Sequence, residues 1–348
     1  MQSIYASSFD TKSSEKAVDL EHRRKLNFNI SKYNAVVPKG KAQFPDLTRV
    51  RELAKNKKWE AIEHLDLYLT QFEDQITKRG AKVFWAEDSE QALNFIGDLC
   101  KEKQCKSVVK SKSMVTEEIH LNDYLTSIGV ESVETDLGEY IQQMDGEAPY
   151  HIVTPAMHKS KEDVAQLFNK HLGTDISLTP EQLTLVARKN LRDKYVQAEI
   201  GITGANFILS DIGGIALTEN EGNARLSVAW PKTHVVIVGI EKTIPSMNDL
   251  GLFWPLLATY GTGQQITVYN SIITGPRQPG EVDGPEEMYV ILLDNGRTDL
   301  LSNAKAREAL YCIRCGACLN ACPVYKNIGG HAYDTTYSGP IGSVITPH

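Results

Sequence analysis

Residues 58–293 alternate between helical and strand hydrophobic periods, and this alternation restricts the fold more than any other feature of the sequence. Helices place apolar residues three and four positions apart, whereas buried strands are short apolar runs bounded by turn residues. The pattern predicts helices over residues 59–78, 89–102, 116–128 and 137–143, and strands over residues 81–85, 107–110 and 130–134. Because such alternation is typical of βαβ units, it predicts an α/β fold with a mostly parallel sheet and helices on its faces.

The second half of the chain is richer in predicted strands. A helical stretch at 161–195 precedes strands at 207–209, 215–218, 235–240, 265–273 and 288–293. A capping box from Ser246 to Asp249 predicts a helix that ends at Gly261, and Ser302 is predicted to cap a short helix that leads into Cys312. Six Gly and Pro residues predict a loop over residues 274–287.

Charge is distributed unevenly along the 348 residues, whose formal net charge is -7. Residues 11–58 contain 13 Lys or Arg against 5 Asp or Glu. Such a basic region can dock on an acidic partner, on a phosphate-rich surface or on the acidic remainder of its own chain, or it can be a solvated helical face. No nucleic-acid recognition motif accompanies the charge, so nucleic acid is not indicated as a partner.

Four of the six cysteines lie within eleven residues near the end of the sequence. Cys312, Cys315, Cys318 and Cys322, followed by Pro323, have the spacing C-x2-C-x2-C-x3-C-P of bacterial ferredoxins. The short gaps allow the chain to curl around a cluster while backbone N–H groups turn toward the sulfur atoms. A zinc site normally joins two C-x2-C pairs across a longer segment, and disulfides are unusual in a cytoplasmic chain. The run therefore predicts a 4Fe-4S cluster.

The fourth cysteine of such a run binds the other cluster in two-cluster ferredoxins. The spacing thus predicts that Cys312, Cys315 and Cys318 hold one cluster and that Cys322 belongs to a second one. The remaining cysteines, Cys100 and Cys105, are more typical of small buried hydrophobic residues. Either one incomplete cluster is bound, or ligands are missing.

A polar stretch at residues 218–225 follows a predicted strand, where a loop can line a ligand crevice. Arg225 is a candidate clamp for a substrate carboxylate, and Glu219 or Glu221 is a candidate base or acyl-transfer nucleophile. Asn223 adds a polar side chain to the same candidate pocket. The alternative is a polar turn whose side chains cap their own backbone.

Other catalytic signatures are weak. His234 opens a hydrophobic strand, which favours a hydrogen-bonded structural histidine over a base in hydride transfer. No G-x-G-x-x-G follows a predicted strand and no P-loop is present, so the sequence does not support a Rossmann-type nicotinamide or flavin site.

Residues 204–207, 214–225, 231–234 and 239–242, with the cysteine run behind them, resemble the lactate utilization protein B family of iron–sulfur proteins. The resemblance implies a LUD domain similar to the sugar-phosphate isomerase and CoA transferase fold, followed by a ferredoxin-like segment. The expected division is a basic helical extension at 1–58, the LUD α/β domain at 59–300 and a partial 4Fe-4S segment at 301–348.

The resemblance also implies an iron–sulfur electron-transfer role in the oxidation of L-lactate to pyruvate, together with two partner proteins. Family members continue into a second cysteine run that completes both clusters, so we expect this chain to be truncated and its second cluster to be incomplete. No signal peptide or transmembrane stretch is evident, which predicts a cytoplasmic protein. The alternative function is a CoA transferase-like or ligand-binding module with no redox role. An iron–sulfur regulator is less favoured, since no helix-turn-helix is recognisable.

Overall fold

The computed structural model describes residues 4–348, which form 10 β-strands and 16 α-helices. The strands are β1 (Lys82–Ala86), β2 (Ser107–Lys110), β3 (Glu131–Glu134), β4 (Ile200–Thr203), β5 (Phe207–Leu209), β6 (Gly214–Glu219), β7 (Thr233–Gly239), β8 (Thr243–Ile244), β9 (Tyr269–Ile273) and β10 (Glu287–Leu293). The helices are α1 (Ile4–Val18), α2 (Leu20–Lys41), α3 (Leu47–Glu63), α4 (Leu65–Thr77), α5 (Ser89–Glu102), α6 (Met114–Glu118), α7 (Leu121–Ser127), α8 (Leu137–Asp145), α9 (Lys161–Leu172), α10 (Pro180–Gln197), α11 (Asn223–Ala229), α12 (Leu250–Thr262), α13 (Arg297–Ser302), α14 (Ala317–Ala321), α15 (Pro323–Ile328) and α16 (Gly339–Ile345).

A six-stranded sheet with the order β1-β10-β7-β4-β2-β3 organises the molecule. Every pairing in it is parallel, which confirms the predicted α/β class. The central strand β7 is buried along its whole length, as expected for a parallel sheet covered on both faces. Its side chains alternate between two cores: Val235 and Ile237 pack on one face, and Val236 and Val238 pack on the other.

A smaller sheet with the order β8-β5-β6-β9 lies beside the main one. It pairs β6 with β5 and β9 in antiparallel fashion, and β5 with β8 in parallel. Phe207 of β5 packs against Phe253 of α12, with ring centroids 5.1 Å apart. The β5–β6 turn passes so close to α4 that a Cβ on Gly213 would lie 2.4 Å from the backbone nitrogen of Ile76, and Gly213 also has a φ of +59°. A side chain larger than hydrogen therefore does not fit this turn.

Several local predictions differ from the structure. The helix expected over 59–78 is broken at His64, whose φ of −127° and ψ of 39° are not helical, although Ile62 of α3 and Leu65 of α4 pack in the same core. The helix expected over 116–128 is likewise divided between α6 and α7 at His120, whose φ is +53°.

Two predicted helix boundaries are also wrong. Helix α12 continues past Gly261 and ends at Gly263, which has a φ of +76° and donates its N–H to the carbonyl of Thr259. Ser302 ends α13 instead of capping a new helix, and a 3-10 turn at Arg307–Tyr311 leads to Cys312. The capping box at Ser246 is confirmed: the Ser246 hydroxyl accepts the N–H of Asn248, and the Asp249 carboxylate accepts the N–H of Ser246.

The basic N-terminal region is helical and packs on the body of the same chain. Lys25 lies 2.6 Å from Asp163, Lys55 lies 3.0 Å from Glu308, and Lys12 lies 2.6 Å from Asp334. The structure thus places acidic groups of the same chain beside these lysines. This is one of the kinds of partner that the sequence allowed for the basic region. Residues 1–3 of the expected extension lie outside the described residues. Within residues 4–348, no helix has both the length and the hydropathy needed to cross a bilayer.

The buried centre of β7 provides a test of the main core. Ile237 is 0% exposed, so replacing it with Ala leaves a cavity, and we expect Ile237→Ala to lower the free energy of unfolding by about 2–5 kcal/mol. Ile176 is 59% exposed, and the matched Ile176→Ala variant should change stability little. Chemical denaturation of both variants compares the two sites. Equal losses would contradict the assignment of Ile237 to the core.

Candidate functional site

A cavity of about 370 Å³ lies at the carboxyl edge of the main sheet. Its walls come from segments that follow β2, β3, β4, β6 and β7, and from α12 and the cysteine segment. Because parallel strands bring their carboxyl ends to one edge, residues distant in sequence meet here. The candidate residues Glu219, Glu221 and Asn223 line this cavity.

Glu219 caps the helix that follows it. Its two carboxylate oxygens accept the N–H groups of Ala224 and Arg225 at 2.7 and 3.0 Å, in the first turn of α11. Burial raises the pKa of Glu219, and these two N–H groups oppose the shift. Glu219 therefore has the geometry of the polar turn that the sequence left open as an alternative.

The carboxylate of Glu221 makes fewer hydrogen bonds than that of Glu219. One oxygen accepts the N–H of Leu137 at the start of α8, at 3.0 Å, and its other oxygen makes no hydrogen bond within residues 4–348. Glu221 is exposed as a whole residue, but partial desolvation of its carboxyl at the cavity wall, followed by the nearby Asp136 carboxylate, raises its pKa to about 6. A carboxyl group of this kind can exchange a proton near neutral pH.

The remaining two candidates differ in placement. Asn223 begins α11 and is buried at the cavity wall. Arg225 points elsewhere: its guanidinium lies over the ring of Tyr269, 5.4 Å from the centroid, and Arg225 is not among the lining residues. A ligand in the cavity would therefore meet other cations.

Three cations that sequence reasoning missed line the cavity: Lys112, Lys242 and Arg314. Lys112 donates to the carbonyl of Val153 at 3.0 Å and lies 3.4 Å from Asp136. Lys242 lies in the segment 239–242 that carried part of the family resemblance, and Arg314 lies inside the cysteine run. Those positions were visible in the sequence, but only the fold brings the two side chains to one cavity.

Arg314 belongs to a buried ionic network that also involves Glu118, Glu241 and Arg297. Arg297 donates to both oxygens of Glu118 at 2.9 Å and also pairs with Glu241, whose second oxygen lies 3.4 Å from Arg314. Burial alone would raise the pKa of Glu241, but Arg297 and Arg314 outweigh it and lower that pKa to about 2. The network joins the end of β7 to α6, α13 and the cysteine segment.

The cysteine segment curls as the spacing predicts. Positive φ angles at Arg314 (+60°) and Gly316 (+76°) turn the chain between Cys312 and α14. The N–H of Arg314 approaches Cys312 Sγ at 3.4 Å, and the N–H of Tyr325 approaches Cys322 Sγ at 3.5 Å. These contacts are the backbone-to-sulfur interactions that support iron–sulfur ligation, so the residues present fit a 4Fe-4S group.

The four cysteines of the run differ in their surroundings: Cys315 packs against one core, and Cys318 and Cys322 pack against another. Burial raises the pKa of the Cys315 thiol to about 11, and the neighbouring Cys312 and Cys318 add to that rise. Cys322 instead lies beside Tyr333, whose pKa is raised by burial and by this thiol. All four are partly exposed, whereas Cys100 and Cys105 are buried in the core on one face of the main sheet. Cys100 and Cys105 are thus in no position to complete a second cluster.

His234 has a structural environment. It is fully buried in β7, and its Nε2 shares a hydrogen bond of 2.8 Å with Thr203 Oγ1. Burial lowers the pKa of His234 to about 3, which keeps the imidazole neutral. This geometry agrees with the structural role predicted for it.

Two family models match the chain: the LUD domain over residues 69–293 and a 4Fe-4S dicluster domain over residues 308–347. The first match covers well over half of the sequence. The chain belongs to the LUD domain family. All four cysteines of the run lie in the second match. The expected boundaries at residues 58 and 300 stay predictions.

Curated relatives of this LUD-domain chain are named lactate utilization protein B. The protein from Bacillus licheniformis is 46% identical over 298 residues, and those from Geobacillus sp. and Anoxybacillus flavithermus are 47% identical over the same length. Each match covers 85% of this chain, and the chain spans 62–63% of the length of these relatives. A solved DUF162 family protein from Deinococcus radiodurans aligns with 66% of this chain and 98% of its own, at 14% identity and a TM-score of 0.36.

The buried network gives a stability prediction. Arg297→Met leaves Glu118 and Glu241 without their main counter-charge, so we expect the free energy of unfolding to fall by about 3–5 kcal/mol. The matched Arg188→Met variant alters an exposed side chain of α10 and should be nearly neutral. Denaturant titration of the two variants measures the difference. A loss no larger than that of Arg188→Met would show that the network is not needed.

Glu221 gives a pH-dependent prediction. Because its pKa is raised from 4.5 to about 6, the folded protein binds this proton more tightly than the unfolded chain, and stability contributed by Glu221 falls as pH rises through that interval. The stability of Glu221→Gln relative to the parent should therefore be higher at about pH 8 than at about pH 4.5. Thermal unfolding midpoints at both pH values test this. The exposed Glu162→Gln control should show no such gain, and an equal gain there would refute the assignment.

Proposed function

We propose that this LUD-domain protein is the iron–sulfur electron-transfer component of L-lactate oxidation to pyruvate and acts in the cytoplasm with two partner proteins. The single observation that carries the proposal is the curled cysteine segment, with its backbone N–H groups directed at Cys312 and Cys322. The assignment to lactate is supported by the relatives named lactate utilization protein B.

Cys312, Cys315 and Cys318 would hold the first 4Fe-4S cluster. Such a cluster supplies one-electron transfer when bound. Cys322 would serve a second cluster, whose other ligands would come from outside the six cysteines of this sequence. Cys322 caps the start of α15, where its sulfur accepts the N–H of Tyr325.

The residues around Cys312 favour the binding of negative charge. Lys58, Lys242 and Arg314 all interact electrostatically with Cys312. Lys58 is buried and donates to the backbone carbonyls of Glu241 and Thr243, so its ammonium is held in place. Fixed positive charge beside a thiolate ligand stabilises an added electron, and the local charge is one of the means by which a protein sets a cluster's potential.

The cavity would accommodate the small-molecule substrate. It shares Arg314 with the cysteine segment, and Gly261 of its wall is so close to that segment that a Cβ there would lie 3.5 Å from the carbonyl oxygen of Cys315. Glu221 would accept a proton from a substrate hydroxyl through its free oxygen, and Asn223 would offer an additional polar contact. Glu219 would position the start of α11 through its two backbone contacts.

A CoA transferase-like activity is the second candidate, and the free oxygen of Glu221 is the observation that favours it. On this proposal the LUD domain has the sugar-phosphate isomerase and CoA transferase-like fold, and Glu221 attacks an acyl-CoA to form an acyl anhydride with release of the CoA thiolate. Mass spectrometry after incubation with an acyl-CoA tests it. Failure to trap an adduct on Glu219 or Glu221, with turnover unaffected by Glu221→Gln, would remove this candidate.

The electron-transfer proposal predicts a metal-loading result. Anaerobic reconstitution of the full chain should yield a brown protein with bound iron and a reduced-cluster EPR signal. Cys315→Ser removes one ligand of the first cluster and should abolish most of that signal. Cys100→Ser, at a buried cysteine of the main core, is the matched control and should retain it. Stoichiometric zinc without iron would contradict the proposal.

A further inference from the structure

Arg314 is a buried cation with unused hydrogen-bond donors. Its side chain is 10% exposed, and only Nη2 reaches a carboxylate, that of Glu241 at 3.4 Å. Nε and Nη1 are buried and have no hydrogen-bond partner in the described part of the chain. Its guanidinium lies over the Tyr337 ring, 4.7 Å from the centroid, which fixes its plane. A buried donor without a partner is costly, so a ligand that accepts from these nitrogens would be stabilised.

Lys242 is a second buried cation at the same cavity. The residue is 7% exposed and makes no hydrogen bond or ion pair within residues 4–348. Glu241 and Cys312 attract its charge, but the Glu241 carboxylate is shared with Arg297 and Arg314. Burial first, and then the charge of Arg314, lower the pKa of Lys242 to about 8. The two cations therefore repel one another, and an anion between them would relieve that repulsion.

The carboxylates of Asp136, Glu219 and Glu221 also line the cavity, together with Lys112, which lies 3.4 Å from Asp136. Three carboxylates against one lysine would repel a ligand that carries several negative charges, such as a phosphate ester. A single carboxylate with a neutral polar end suits such a lining. The volume of about 370 Å³ is at the small end of ligand pockets.

We propose that Lys242 and Arg314 bind the carboxylate of a small monocarboxylic acid, with its neutral polar end toward Glu221. This inference rests on the function proposed above and deepens it, since it assigns recognition of the organic acid to this chain. Arg314 then has two roles: it contributes positive charge beside Cys312, and it offers one unpartnered N–H, from Nε or from Nη1, to a carboxylate. Neither lysine nor arginine performs a chemical step in this proposal; both position the ligand.

Isothermal titration calorimetry of the reconstituted full chain tests the site with L-lactate, pyruvate and inorganic phosphate as probes. We expect the two carboxylates to bind and phosphate to bind more weakly. Lys242→Met and Arg314→Met should each weaken carboxylate binding by about tenfold or more, as expected for the loss of a charge-assisted hydrogen bond. Lys242→Arg retains the charge and should restore most of the affinity.

Matched controls lie on the exposed face of α10. Lys189→Met and Arg188→Met remove the same charges far from the cavity and should leave carboxylate binding unchanged. Iron content and the EPR signal are measured on every variant. Carboxylate binding that is absent in the parent, or that is equal in Lys242→Met and Lys189→Met, would overturn the inference.

The iron measurements separate this inference from the electron-transfer proposal. If Lys242→Met and Arg314→Met lose iron while the parent binds no carboxylate, the two cations serve only as counter-charge for the cluster, and the inference fails while the proposed function stands. If the parent takes up zinc without iron but binds carboxylates in a manner that depends on Lys242, the inference stands and electron transfer fails.

Discussion

The buried ion pair between Glu241 and Arg297 is the interaction on which the candidate site depends. Glu241 follows β7, the central strand, and Arg297 begins α13 after β10. Burying either charge alone would cost several kcal/mol, so the pair is maintained only where both side chains are held in register. The pair thereby ties the carboxyl edge of the sheet to the segment that leads to the cysteines. Glu118 of α6 extends it with two further contacts to Arg297.

This ionic network explains why the cysteine segment and the cavity share a wall. Arg314 reaches Glu241 from inside the cysteine run, so the loop that would hold a cluster is anchored to the sheet edge. Arg314 also lines the cavity. The cavity and the cysteine segment therefore adjoin at one shared arginine.

Part of the fold was predictable from local patterns. The sequence predicted α5 and β2 with their observed bounds and the parallel main sheet, because strong periodicity and capping residues act over a few positions. The breaks at His64 and His120 were missed because apolar residues on both sides of each break pack into one core, so the hydrophobic pattern continues across the break. No local signal at those residues marks such a division. The end of α12 at Gly263 was misplaced by two residues, because Gly261 offers the same residue type within the helix.

The candidate site was likewise predictable only in part. By itself, the sequence determined the cysteine run, its 4Fe-4S chemistry and the polar stretch at 218–225, since ligand spacing and turn chemistry are local properties. The tertiary structure alone decided that Glu219 caps α11, that Arg225 stacks on Tyr269, and that Lys242 and Arg314 meet at one cavity. The Glu219 cap is a local contact that the sequence left open as one of two alternatives. Lys242 and Arg314 are more than seventy positions apart, and they come together only because parallel strands bring their carboxyl ends to one edge and buried charges require partners there.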